Sequence, residues 1–174
     1  MSLDQLQAAP RAQLLGLPDG VEGVRATLEI MARIVRASRV DPGIRNTALA
    51  LTRHAGNFGE EENFFAEIEA LHRFVRDNIR YVMDVDEVET VQTPDVTLRL
   101  EAGDCDDKSV LLASLLNAVG HPARFAAVAF APDAFEHVLV ETKLGDKWLP
   151  LETTKPVQVG WYPEGVVSKM LRHI

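Results

Sequence analysis

The chain has 174 residues, of which 47% are hydrophobic and 25% charged, and its formal net charge is −8. That size and composition suit one soluble domain, or one domain with a helical extension, and allow a substantial core. The acidic balance excludes a nucleic-acid surface, which needs clustered Lys and Arg, and one cysteine excludes a disulfide framework or a Cys-rich zinc site. Met1 to Gly20 lacks the basic stretch and apolar run of a signal peptide. No apolar run reaches bilayer length. The expectation is a cytoplasmic protein in a reducing compartment, with no membrane partner.

The first stretch, to about Asp19, is rich in Ala, Gln and Leu with two prolines and is expected to be extended or loosely docked. From Val21 to Arg39 the apolar residues Val24, Leu28, Met31, Ile34 and Val35 recur at helical spacing, and Asp41-Pro42-Gly43 breaks that helix. A second helix is predicted over Ile44–His54, ending around Gly56-Asn57. A third runs from Asn63 to about Tyr81 with Phe64, Ile68, Leu71, Phe74, Val75 and Ile79 on one face. The segment from Asp84 to Gly103 mixes acids, Gln92, Pro94 and a short Val96-Leu98-Leu100 pattern, and reads as a long ordered loop with one helical turn. Loops of that length are more often functional than idle.

A fourth helix is predicted from Cys105 to about Val119. Asp104 suits its N-cap and Asp107 its third position. Val110, Leu111, Leu112, Ala113, Leu115, Leu116 and Val119 cover most of its circumference, so the fold should enclose it. Gly120 ends it, and the period becomes strand-like. Strands are predicted at Arg124–Phe130, Glu136–Thr142 and Trp148–Leu151, the last two joined by a tight hairpin at Gly145-Asp146. The tail from Val157 ends in a short predicted helix, Val166–Arg172. Helices followed by an antiparallel sheet, with one buried helix between, make an α+β fold. The divisions expected are an N-terminal helical extension over 1–62, a core over 63–156 and a C-terminal tail over 157–174 packed on that core.

The lone cysteine has a suggestive address. Cys105 opens the enclosed helix, where the positive end of the macrodipole favours thiolate over thiol. A cysteine nucleophile also needs a histidine partner and a group that orients the ring. His54 and His72 fall on predicted helices beside arginines and read as surface or boundary residues. His121 sits in a turn before Pro122, and His173 adjoins the last residue. His137 alone opens a strand, just after the Pro132-Asp133-Ala134-Phe135 turn. With a two-residue turn at Gly145-Asp146, Leu144 faces Lys147 and Leu139 falls opposite Glu152. Alternation then puts His137, Leu139 and Glu152 on one face, with His137 and Glu152 diagonal neighbours. A one-residue slip would separate them.

From about Leu71 to Thr154 the chain resembles the transglutaminase-like superfamily, relatives of the papain-type cysteine proteases. The resemblance rests on Phe74-Val75-Arg76-Asp77-Asn78-Ile79-Arg80-Tyr81, on Gly103-Asp104-Cys105-Asp106-Asp107-Lys108 with Leu111-Leu112 and Leu115-Leu116, and on Val119-Gly120-His121-Pro122-Ala123-Arg124. The strand with His137 and Trp148-Leu149-Pro150-Leu151-Glu152-Thr153-Thr154 complete it. Gln92-Thr93-Pro94 upstream is similar to the small forms found in bacteria and their phages or prophages. The resemblance implies Cys105 as nucleophile, His137 as its partner and Glu152 in the place of an orienting aspartate. Glu adds a methylene there, and Leu139 stands where an aromatic residue often follows the histidine by two places.

What this implies is a thiol hydrolase acting on a peptide or protein through a thioester on Cys105, without a cofactor or a resident metal. Transglutaminase-type transfer to an amine and a non-catalytic phage assembly module are the alternatives. The Cys105 backbone N–H and the Gln92 side chain are the expected oxyanion donors. Asp104, Asp106 and Asp107 oppose a nearby thiolate; they are expected to point away from the sulfur, with Asp104 and Asp107 occupied in capping. A hard-cation site on the three is the other use for them. The helices before Asn63 are left to cover the groove, brace the buried helix or form an oligomer interface.

Overall fold

The computed structural model of the chain describes residues 11–13, 17–53, 55, 61–83 and 90–174. The predicted end of the second helix at His54 and Gly56-Asn57, the residues before Arg11 and the acidic start of the Asp84 segment lie outside them. Among the described residues no helix is long and apolar enough to cross a membrane.

A short strand β1 (Arg11–Gln13) precedes the helix α1 (Gly20–Ser38), whose Leu28, Met31, Ala32 and Val35 are buried, as the spacing predicts. Asp41 stops α1 and starts α2 (Pro42–Thr52): its Oδ1 accepts from the N–H of Gly43 at 2.7 Å and of Ile44 at 3.2 Å. Pro42 at the first position needs no donor partner. α3 (Glu61–Asn78) ends three residues before the predicted Tyr81. There the chain turns extended, because β2 (Arg80–Tyr81) pairs in parallel with β4 (Ala102–Gly103). The predicted loop therefore holds more order than one helical turn: β3 (Thr90–Gln92) pairs with β1, and α4 (Pro94–Leu100) runs from Pro94 to a left-handed Glu101.

α5 (Cys105–Ala118) is the centre of the fold. Val110, Leu111, Leu112, Ala113, Leu115 and Leu116 are completely buried, enclosed by α1 to α4 and the sheet. Its start is a full capping box: Asp104 Oδ1 accepts from the Asp107 N–H at 3.0 Å, and Asp107 Oδ2 accepts from the Asp104 N–H at 3.4 Å. Only glycine fits before it, since a Cβ at Gly103 would lie 2.5 Å from that of Asp107.

The remaining strands are β5 (Ala123–Ala131), β6 (Ala134–Leu144), β7 (Lys147–Leu151) and β8 (Ser168–His173), in the order β7-β6-β5-β8 and antiparallel throughout. The α+β expectation stands. β8 corrects the predicted Val166–Arg172 helix. Without it β5 would present a row of unpaired backbone groups, and pairing that edge outweighs the weak helical pattern. One sheet face carries Phe125, Ala127, Val138 and Val140 into the α5 core. The other carries Ala126, Val128 and Leu139, covered by Tyr162 and Val166.

Candidate active site

The hairpin register places Leu144 opposite Lys147 and Val140 opposite Leu151, as the two-residue turn requires. At the other end of β6 the pairing passes from His137 opposite Val128 to Phe135 opposite Ala129. Glu136 is thus bulged out, and parity reverses across it. Phe135 packs on the α5 core, and His137 and Phe135 line one cavity.

His137 is half-buried and its Nε2 lies 2.5 Å from Glu152 Oε2. Glu152 is 1% exposed. Its other carboxylate oxygen accepts from the Thr154 backbone N–H at 2.6 Å and the Thr154 hydroxyl at 2.7 Å. Burial pushes the Glu152 carboxyl up, but the His137 hydrogen bond and charge and the two Thr154 donors outweigh it, and the group sits below its ordinary value. It is therefore an anion facing the ring. With Nε2 engaged by Glu152, Nδ1 is the nitrogen left for a proton transfer.

Cys105 lines the same cavity as His137, a space of about 750 Å³ walled by α1 (Gly23, Val24, Thr27), by Asp104 to Asp106 and by the β5–β6 turn. The backbone of Val138 hydrogen-bonds the Cys105 sulfur. The sulfur therefore rests against β6 one residue beyond His137. Burial, then the charges of Asp106 and Asp104, push the thiol far above its ordinary value, against the pull of the Val138 bond. The resting group is a thiol, and it donates to Asp106 Oδ1 at 3.6 Å.

That contact corrects the expectation that all three aspartates face away. Asp104 and Asp107 do cap α5, but Asp106 follows directly on Cys105 in the first turn and reaches the sulfur. Ligand atoms of Asp104, Cys105 and Asp106 lie within 4.8 Å of one another. Asp107 is buried, and its Oδ1 accepts from the Gln92 backbone N–H at 2.7 Å. Two carboxylates and a thiol fall short of the six to eight oxygens of a calcium site.

Gln92 is buried on β3, and its Oε1 accepts from the Thr97 hydroxyl at 3.4 Å. It does not line the cavity; Thr90, two residues earlier, does. Leu139 is 1% exposed and packs under Tyr162 and Val166, away from the cavity. Two buried groups were not anticipated. His72, expected at the surface or its boundary, is 1% exposed, and its Nε2 meets the Glu152 backbone oxygen at 2.6 Å. Lys108 is also buried, with Nζ donating to the Ile79 oxygen at 2.5 Å. Both lay within reach of the helical phase. His72 is four residues after Ile68 and three before Val75, on the apolar stripe, and Lys108 lies on a helix with no polar face to receive it.

The core pattern of the Transglutaminase-like superfamily matches residues 52–153, more than half of the chain. The chain belongs to the transglutaminase-like superfamily. Two solved structures share the fold. One, from Parabacteroides distasonis and provisionally named a protease, is 20% identical with a TM-score of 0.59 over 80% of this chain. The other, from Cytophaga hutchinsonii and provisionally named a cysteine protease, is 18% identical with a TM-score of 0.51 over 74% of it. This transglutaminase-like chain spans only 30% and 45% of their respective lengths. No curated protein matches it.

Proposed function

We propose that the chain is a cysteine hydrolase that cleaves a peptide or amide bond through a thioester on Cys105. The observation that carries this reading is the Cys105 sulfur lying against β6 at Val138, next to His137, whose Nε2 is held by Glu152. His137 Nδ1 takes the thiol proton as sulfur attacks the carbonyl carbon. The oxyanion that forms is met by the Cys105 backbone N–H. Collapse expels the amine, which takes the proton from His137 and leaves the thioester. Water then attacks, giving its proton to His137; the acid departs and the thiol is restored. Glu152 stabilises the imidazolium in both halves.

The cavity also supports a substrate class. Its wall carries Asp19, Asp104, Asp106, Asp133 and Glu136, with His137 the one basic side chain among its described residues. An extended peptide with a basic side chain close to the scissile bond suits that field, and its positive charge offsets the two aspartates that hold the thiol protonated.

Hydrolysis of matched peptides by the wild-type chain, Cys105→Ala and His137→Ala tests the reading. Cys105→Ala should abolish turnover and His137→Ala should lower kcat by about 10²–10⁴-fold. Alkylation of Cys105 by iodoacetamide should shift to higher pH in His137→Ala. Labelling indifferent to His137 overturns the mechanism, and equal rates on Lys-bearing and Glu-bearing peptides overturn the substrate class. Incorporation of a fluorescent amine in place of hydrolysis would make the second step transfer.

A further inference from the structure

We propose that His72 is a positioning residue that sets the carboxylate of Glu152 against His137. The inference rests on the roles given to Cys105, His137 and Glu152 above. The β6–β7 pairing ends at Leu151, so the ladder does not hold the backbone of Glu152. What holds it is α3: His72 Nε2 lies 2.6 Å from the Glu152 carbonyl oxygen, in a fully enclosed site. A carbonyl oxygen only accepts, so Nε2 carries the proton and the tautomer is fixed.

A buried carbonyl without a donor is costly, and here the donor also determines where the carboxylate starts. Glu152 is then pinned at three places: its carbonyl by His72, Oε1 by Thr154 and Oε2 by His137. Thr154 is two residues along the same loop and moves with it. Of the two that hold the loop itself, His72 is the anchor that belongs to a different element, and α3 is tied to α5 by Lys108, whose Nζ donates to the oxygens of Arg76 in α3 and of Ile79 just past its end. The helix that starts with Cys105 and the residue that orients His137 are thus referenced to one rigid rod. Burial lowers the His72 pKa and Arg76 adds to this, against Glu152 and Asp77, so the ring is neutral at pH 7 and suited to a lasting donor role.

His72→Leu and His72→Gln are compared with the wild-type chain, with Cys105→Ala and His137→Ala as controls, for kcat, KM, the pH midpoint of Cys105 alkylation and thermal unfolding. Gln keeps an N–H at similar reach. Because small misplacements in a site are costly, His72→Leu should lower kcat by at least about tenfold with KM little changed, and move the alkylation midpoint to higher pH. His72→Gln should recover most of both. A folded His72→Leu with unchanged kcat and midpoint overturns the proposal. If His72→Leu does not fold, a His72→Gln chain as poor in kcat as His137→Ala overturns it, as does imidazole ¹⁵N spectroscopy of the wild-type chain showing His72 protonated at Nδ1 alone. Full activity in Cys105→Ala or His137→Ala is a different failure, which removes the hydrolase reading and this proposal with it.

Discussion

At the scale of single residues, the awkward neighbour of Cys105 is Asp106. It accepts the thiol hydrogen at 3.6 Å, and its charge raises the thiol pKa second only to burial. Asp106→Asn keeps the size and removes the charge. Two charges about 4 Å apart interact by about 1 kcal/mol in water and about 4 at an effective dielectric of 20. With about 1.4 kcal/mol per pH unit, the alkylation midpoint of Asp106→Asn should fall by about one unit or more. The sign follows from the thiolate, which loses a like charge nearby. A midpoint that stays or rises would show that Asp106 acts as an acceptor that orders the thiol and not through its field. This contact was not legible from the sequence. Capping chemistry gave Asp104 and Asp107 definite places, whereas Asp106 at the second helical position has no capping duty, and its direction depends on the packing of β6.

At the scale of elements, the helix positions and the hairpin register were legible because each had a periodic apolar pattern or a turn with fixed residues. β8 was not, since Ser168-Lys169-Met170-Leu171-Arg172-His173 has too few apolar residues to show a period. Its conformation is set by the open edge of β5. The α3–α5 link through Lys108 carries a measurable consequence. Burial lowers the ammonium pKa from 10.5 to about 8. The unfolded chain therefore binds this proton more tightly, and charging Lys108 opposes folding by about 3 kcal/mol at neutral pH. That penalty fades as pH rises from 8 towards 10.5. Other groups titrate in the same range, including the Cys105 thiol, which is displaced in the opposite sense. The informative quantity is the wild-type unfolding free energy minus that of Lys108→Met, from urea titrations. It should rise by about 2.5 kcal/mol between pH 7 and 10. A flat difference would mean that the two carbonyls around Nζ compensate its burial fully.

At the scale of the molecule, the family match begins at residue 52, after most of α2, yet the core does not respect that boundary. Leu28, Met31 and Val35 of α1 and Ile44 of α2 are buried in the same cluster as Leu111, Leu112 and Leu115 of α5. α1 also supplies one wall of the cavity that holds Cys105 and His137. The apolar stripe of α1 was visible in the sequence; its partner was not, because periodicity identifies a face without naming what covers it. Each such side chain contributes about 2 kcal/mol on burial, so the four together rival the net 5–15 kcal/mol of a folded domain. A chain that starts at Arg53 should therefore lose its cooperative urea transition and bind a hydrophobic dye, even though it retains nearly all of the family core. Adding a peptide of residues 17–52 in trans should restore part of the transition, since α1 and α2 contain the complementary face. A truncated chain with an unchanged midpoint would instead make residues 1–52 a separable cover, and the wall they form would then be a feature of access to the cavity and not of the core.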